Sequence, residues 1–262
     1  MDEYDASKAE IAYELLPLLR LYKDGRVERL LGNDFVPPST NPQNGVVSKD
    51  ITLLPESNIT ARIYLPPIPD PNPKLPLVVY FHGGGFCVAS PFTSKCHNYL
   101  NALVARSRVV AVSWIISHRD RNGPEAWLND HADFERVFLA GESAGANIAH
   151  NMALRAGQPE FGLSVGLLGL ALVHPYFWGS VPIASEALAG IGCGRVLVCV
   201  AERDVVRDRG RLYCEALSRS GWTGVVEIDE TKDEDHVFYL YDLDGQNARD
   251  LIRQLASFFN RG

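Results

Sequence analysis

Cysteine is scarce in this chain, and what there is forms no pattern. The five cysteines (Cys87, Cys96, Cys193, Cys199 and Cys214) are odd in number, and none stands in a CxxC pair. Spacing therefore supports neither a disulfide framework nor a cysteine-based zinc site. Cys199 lies in an apolar run and reads as a small core residue. No HExxH sequence or Cys/His cluster occurs, so His97, His118, His131, His150 and His174 are not read as ligands, and neither a metal nor a cofactor is expected. No apolar run is long enough to span a bilayer. The opening MDEYDASKAE is too acidic for a secretory signal, and Pro17 and Arg20 break the apolar run behind it. Charge of one sign is nowhere concentrated: 25 Lys and Arg face 32 Asp and Glu, for a net charge of −7. That balance argues against nucleic acid or an anionic membrane as a partner. Together these features predict a reducing cytoplasm or nucleus. No coiled-coil pattern sets an oligomeric state.

What is present fits an ordinary globular protein. With 262 residues, 46% hydrophobic and 22% charged, the chain is expected to form one domain over 1–262 with a substantial core. Residues 6–22 carry Ile11, Leu15, Leu18 and Leu19 at helical spacing, which predicts an amphipathic helix. KDGRVERLLG and DITLLPESNITARIYLPP then read as short antiparallel strands. The tract PPIPDPNPKLP is a stiff connector, because proline offers no amide for pairing. Beyond it, apolar β-branched runs alternate with helical segments: LVVYF, SKCHNYLNALVARS, RVVAVSW, RVFLAG, GANIAHNMALRAG, LLGLALVHPYF, GRVLVCVAERD, RGRLYCEALSRSG, GVVEIDE and QNARDLIRQLASFFN. This alternation predicts an α/β fold with a mostly parallel central sheet and helices on both faces.

In open parallel sheets, ligands bind beyond the carboxyl ends of the strands. Four features follow strands in this way: His82-Gly83-Gly84-Gly85, Gly141-Glu142-Ser143-Ala144-Gly145, Asp204 and His236. The G-x-S-x-G stretch, entered from a strand and left by a helix, puts Ser143 on a sharp corner that glycines 141 and 145 make possible. A serine hydroxyl needs a base to become a nucleophile, and His236 is the candidate. Asp204 is the candidate for orienting that imidazole, with Asp208 as a rival. Oxyanion donors are expected from the amides of Gly83, Gly84 and Ala144. Taken singly, each feature has a bland reading as a turn, a helix cap or a surface histidine. Their joint occurrence in the order Ser, Asp, His points to acyl transfer.

The stretches YFHGGGF, GESAGANIAHNMALRAG, HPYFWGS, VCVAERDVVRDRGRLYCEAL and EDHVFYLYD, with LLRLYKDGRVERLLG near the start, resemble the plant carboxylesterases among the hormone-sensitive-lipase-like α/β-hydrolases. The resemblance covers nearly the whole chain. It implies an α/β-hydrolase fold and a triad of Ser143, Asp204 and His236. It also implies a small-molecule ester substrate and a cap over the active site to which residues 1–35 contribute. Gibberellin receptors and 2-hydroxyisoflavanone dehydratase resemble the same group, so a non-catalytic receptor and a lyase are the alternatives; His236 weighs against the first. Two places depart from the group's pattern. Ser113 runs straight into WIISHRDRNG, and VPIASE is followed at once by ALAGIGCGR. Segments are expected to be missing at Ser113–Trp114 and Glu186–Ala187.

Overall fold

The computed structural model describes residues 10–40, 44–54, 59–68, 73–114, 125–159, 166–177 and 185–261. The chain begins with a small antiparallel sheet of β1 (Ile11–Leu15), β2 (Leu19–Tyr22) and β3 (Val27–Arg29). This corrects the helix expected over 6–22, whose first four residues lie outside the described ones. Ile11, Tyr13 and Leu15 alternate along the chain as readily as they fit a helical face, and Pro17 decides between the two readings. Its ring and missing amide cannot be placed in a helix interior, so the chain turns there and pairs Leu15 with Leu19.

The main sheet is built from β4 (Val47–Leu54), β5 (Ile59–Leu65), β6 (Leu75–Phe81), β7 (Val110–Trp114), β8 (Ala132–Glu142), β9 (Leu167–Val173), β10 (Arg195–Ala201) and β11 (Val225–Thr231). Their order is β11-β10-β9-β8-β6-β7-β5-β4. The strands from β6 to β11 run parallel, while β4 and β5 form an antiparallel end. Helices α1 (Ser94–Ser107), α2 (Ala126–His131), α3 (Ala144–Ala156), α4 (Ser185–Leu188), α5 (Arg207–Arg219) and α6 (Gln246–Asn260) lie between and after these strands.

Strand alternation divides the core. On β10, Leu197, Cys199 and Ala201 join the cluster formed with α1 and α6, whereas Val196, Val198 and Val200 join the one formed with α3 and α5. On β9, Ala171 and Val173 face the first set, and Leu170 and Leu172 the second. Both faces of the sheet are thus covered by helices, as the near-continuous apolar strands required.

The two junctions expected to mark missing segments each fall inside a regular element. Ser113 and Trp114 are consecutive residues of β7, paired with Arg62 and Ala61 of β5, and Glu186 and Ala187 are consecutive in α4. Among the described residues, the crossover from β7 to β8 is correspondingly short of helix, with only the six residues of α2.

Candidate active site

The turn between β8 and α3 is tight because two glycines let backbones meet. A Cβ on Gly145 would lie 2.0 Å from the Phe81 carbonyl oxygen, and one on Gly141 would lie 2.5 Å from the Gly145 oxygen. Ser143 occupies the corner with φ 53° and ψ −119°, a conformation that costs an L-residue free energy. Its backbone is pinned on both sides: its amide donates to the Val173 carbonyl at 2.9 Å, and its carbonyl accepts from the Tyr176 amide at 3.0 Å. These bonds tie the corner to the end of β9.

His236 lies in the loop after β11, and its Nε2 is 2.9 Å from Ser143 Oγ. Its Nδ1 is 2.7 Å from Asp204 Oδ2. Asp204 follows β10, with its side chain fully buried, and its Oδ1 accepts the Val206 amide at 2.9 Å. Burial pushes the Asp204 pKa up, but hydrogen bonds from His236 and the Val206 amide outweigh it, so the pKa is lowered. The carboxylate is therefore the stable form facing the imidazole. Asp208, the rival acid, is exposed and bonded to Arg207 instead.

The sheet edge thus brings Ser143, Asp204 and His236 into one hydrogen-bonded line, the arrangement by which an imidazole can take a hydroxyl proton. His174, Asp204 and His236 form the group of possible metal ligands found among the described residues. Their ligand atoms are already committed: His174 Nδ1 accepts the Val237 amide at 2.8 Å, and Asp204 Oδ2 and His236 Nδ1 are bonded to each other. The geometry is that of a hydrogen-bond chain.

The glycine loop requires a correction. The amide of Gly83, expected to point at an oxyanion, donates to Glu142 Oε1 at 2.9 Å and is not free. Among the described residues the amides of Gly84, Gly85 and Ala144 have no acceptor. Gly84 and Gly85 adopt φ of 107° and 59°, and a Cβ on Gly84 would meet the Val88 oxygen at 2.1 Å. Only glycine fits that bend. Burial raises the Glu142 pKa to about 7, with the Gly83 bond opposing. His82 is half-buried and bonded through Nδ1 to the Gly83 carbonyl at 2.7 Å, which places it in the loop's framework.

Two residues of the site escaped the sequence reading. Glu142 is the variable position of G-x-S-x-G, and nothing in its spacing to Gly83 shows that the two meet. His174 directly follows a strand at the same sheet edge, and that position was the available signal. Of the remaining histidines, His150 is buried against Tyr213, its Nδ1 3.2 Å from the hydroxyl. His97 lies in a buried cluster with Arg62 and Tyr64. His118 lies outside the described residues. In HPYFWGS, Phe177 is core, while Tyr176 packs edge-on to Phe86 beside the glycine loop, with ring centroids 6.3 Å apart.

The small N-terminal sheet and the chain after it lie along the glycine loop. Arg29 Nε donates to the Cys87 carbonyl at 2.7 Å, and the Val36 amide to the Phe92 carbonyl at 2.9 Å. Leu18 lies over Gly85, whose Cβ position would be 3.6 Å from its Cδ1.

A family profile described as alpha/beta hydrolase fold matches residues 78–189 and 178–240. A probable carboxylesterase of Arabidopsis thaliana (carboxylesterase 13) is 40% identical over 95% of this chain and 98% of its own length. A 2-hydroxyisoflavanone dehydratase of Glycine max is 37% identical over 95% of this chain and 98% of its length. The first alignment runs over 322 positions against the 262 residues of this chain, so at least 60 positions of the relative have no counterpart here. Among solved structures, an esterase of Pyrobaculum calidifontis matches with a TM-score of 0.61 at 23% identity, covering 81% of this chain and 84% of that one. A thermostable carboxylesterase from a metagenomic library matches at 0.63 and 21%, covering 86% and 90%. At such identities the likeness establishes the fold. No helix among the described residues is long and apolar enough to cross a membrane.

Proposed function

This chain belongs to the α/β-hydrolase family, and from that premise we propose that it is a serine carboxylesterase acting on small-molecule esters through an acyl-serine intermediate. The observation that carries the reading is the continuous line Asp204–His236–Ser143, with contacts of 2.7 and 2.9 Å. His236 Nε2 takes the Ser143 proton as Oγ attacks the ester carbonyl. Asp204 holds the imidazole with its proton on Nδ1 and stabilises the imidazolium that forms. The carbonyl oxygen becomes an oxyanion, received by the amides of Gly84 and Ala144, with Gly85 in the place expected of Gly83. His236 then returns the proton to the departing alcohol. Water, deprotonated by the same imidazole, attacks the acyl-serine; the bond to Ser143 Oγ breaks, His236 returns the proton to Oγ, and the acid is released.

The strained corner supports the same reading, since a corner at φ 53° is held only where the surrounding structure imposes it. The His236–Ser143 bond weighs against a receptor that only binds its ligand. Contacts of the N-terminal sheet along the glycine loop support the proposal that residues 1–35 contribute a cap. The five cysteines are all free, four of them buried, which suits a reducing compartment such as the cytoplasm.

The test is turnover of short- and medium-chain p-nitrophenyl esters by the wild type and Ser143→Ala, with mass spectrometry after an organophosphate probe. Wild-type turnover abolished in the variant, together with an adduct on Ser143, is expected. Folded wild-type protein with neither turnover nor adduct would overturn the esterase reading.

A further inference from the structure

His174 directly follows β9 at the same edge as Ser143, yet no step of ester hydrolysis uses it. The residue is 1% exposed and sits at φ 48°, a left-handed conformation uncommon for a non-glycine residue. Its own amide donates to the Cys199 carbonyl at 2.8 Å, fixing it to β10. Its Nδ1 accepts the amide of Val237 at 2.8 Å. Val237 is also left-handed, at φ 50°, an unusual state for a β-branched residue. It is the residue after His236. The imidazole of His174 also packs against the rings of His236, Phe238 and Tyr239, with centroids 5.7–5.8 Å apart.

Packing alone does not account for a histidine here. Its Nε2 is buried with no partner among the described residues. A leucine would fill similar space without burying an unpaired polar atom. What leucine lacks is an acceptor for the Val237 amide. An imidazole nitrogen that accepts an N–H keeps its lone pair, so the ring proton of His174 belongs on Nε2. Among the described residues the charged or titratable groups facing this ring are Asp204, whose Oδ2 is 3.7 Å from Nδ1, His236 and Tyr239. Burial depresses the His174 pKa to about 3, with Asp204 opposing and His236 adding to the shift. With no proton on Nδ1, His174 does not compete with His236 for the Asp204 carboxylate.

We propose that His174 is a positioning residue for the reaction: by accepting the Val237 amide it sets the backbone that presents His236, and it leaves Asp204 Oδ2 to His236 alone. This rests on the reading of Ser143, Asp204 and His236 as a triad.

Wild type, His174→Asn and His174→Leu test it. The asparagine carbonyl can stand where Nδ1 stands and accept the same amide, whereas leucine fills the space without an acceptor. Three measurements are made on each: kcat and KM for p-nitrophenyl butyrate, hydrogen exchange of the 236–240 segment, and the downfield N–H resonance of His236. His174→Leu is expected to lose about tenfold or more in kcat with KM within about twofold. Exchange at Val237 is expected to speed up about tenfold or more, and the resonance to disappear. His174→Asn is expected to restore all three. A folded His174→Leu protein with wild-type values, or equal damage in both folded variants, would overturn the proposal. If His174→Leu does not fold, His174→Asn decides, since a folded asparagine variant without protection at Val237 overturns it. An inactive wild type would overturn only the triad reading, and the exchange and resonance comparisons would still decide the role of His174.

Discussion

The amide of Gly83 donates to Oε1 of Glu142 at 2.9 Å, joining the glycine loop to the residue before the strained serine. Glu142 is fully enclosed, its Oε2 has no partner among the described residues, and burial lifts its pKa from 4.5 to about 7 despite the Gly83 bond. Between those two values the folded protein holds a proton that the unfolded chain has lost, so stability falls as pH rises through this window. Glu142→Gln keeps an acceptor for Gly83 and cannot ionise. At pH 8 it is expected to be more stable than the wild type by a margin on the order of 3 kcal/mol, because each tenfold change in proton affinity is equivalent to roughly 1.4 kcal/mol. The margin closes toward pH 4.5. Chemical denaturation at the two pH values measures it, and equal stability at pH 8 would show that the carboxylate is not disfavoured there.

Ser143 provides a test of corner strain separate from chemistry. At φ 53°, glycine is relaxed where serine and alanine are not. Ser143→Gly and Ser143→Ala both remove the hydroxyl and should both be inactive. Ser143→Gly is nonetheless expected to be the more stable of the two by about 1 kcal/mol, because relief of the left-handed strain exceeds the extra freedom glycine gives the unfolded chain. Thermal unfolding of the pair reads the difference directly. If Ser143→Ala melts at or above Ser143→Gly, the corner is not strained.

Asp204 uses its two oxygens for different purposes: Oδ1 accepts the Val206 amide and Oδ2 faces His236 Nδ1. In Asp204→Asn the carbonyl can keep the Val206 bond, which directs the amide group at His236. Two donors cannot share that contact, so the imidazole must place its proton on Nε2, where it can no longer accept from Ser143. A fall in kcat of roughly 10⁴-fold is expected, with the fold intact. Kinetics beside a circular-dichroism spectrum check both halves; a loss under about tenfold would mean the tautomer is set elsewhere.

The parallel core was legible because its strands are buried on both faces and read as unbroken apolar runs, and because α1 and α6 carry unambiguous helical periods. Their observed limits, Ser94–Ser107 and Gln246–Asn260, coincide with the segments read as helical. The line of Ser143, Asp204 and His236 was legible for a related reason: each follows a strand, and strand ends gather at one edge. The N-terminal segment misled because the few apolar residues around Pro17 satisfy a helical and an alternating period at once. Gly83 misled because the competition for its amide comes from Glu142, 59 positions away. His174 looked like a strand-end histidine, and its partner Val237 is 63 positions off. Contacts of that range are set by the packing of the whole sheet, and no local spacing encodes them.

Arg62 on β5 is a charge that the fold commits deeply, with a side chain of zero exposure. Its Nε and one terminal nitrogen bind the two oxygens of Asp50 at 2.6 and 2.9 Å, and the same terminal nitrogen holds the Val36 carbonyl at 2.8 Å. The two partners are unequal, since the Asp50 side chain keeps 31% exposure. Losing the carboxylate strands a guanidinium that water cannot reach, whereas losing the guanidinium leaves a carboxylate that can hydrate. Asp50→Ala is therefore expected to cost about 3–5 kcal/mol, the range for a buried charge deprived of its partner. Arg62→Met, which keeps much of the stem's packing, should cost clearly less. Urea unfolding of the two variants gives the order. If Arg62→Met proves the more damaging, the arginine holds this corner through its packing and its bond to Val36, and the ion pair is incidental to it.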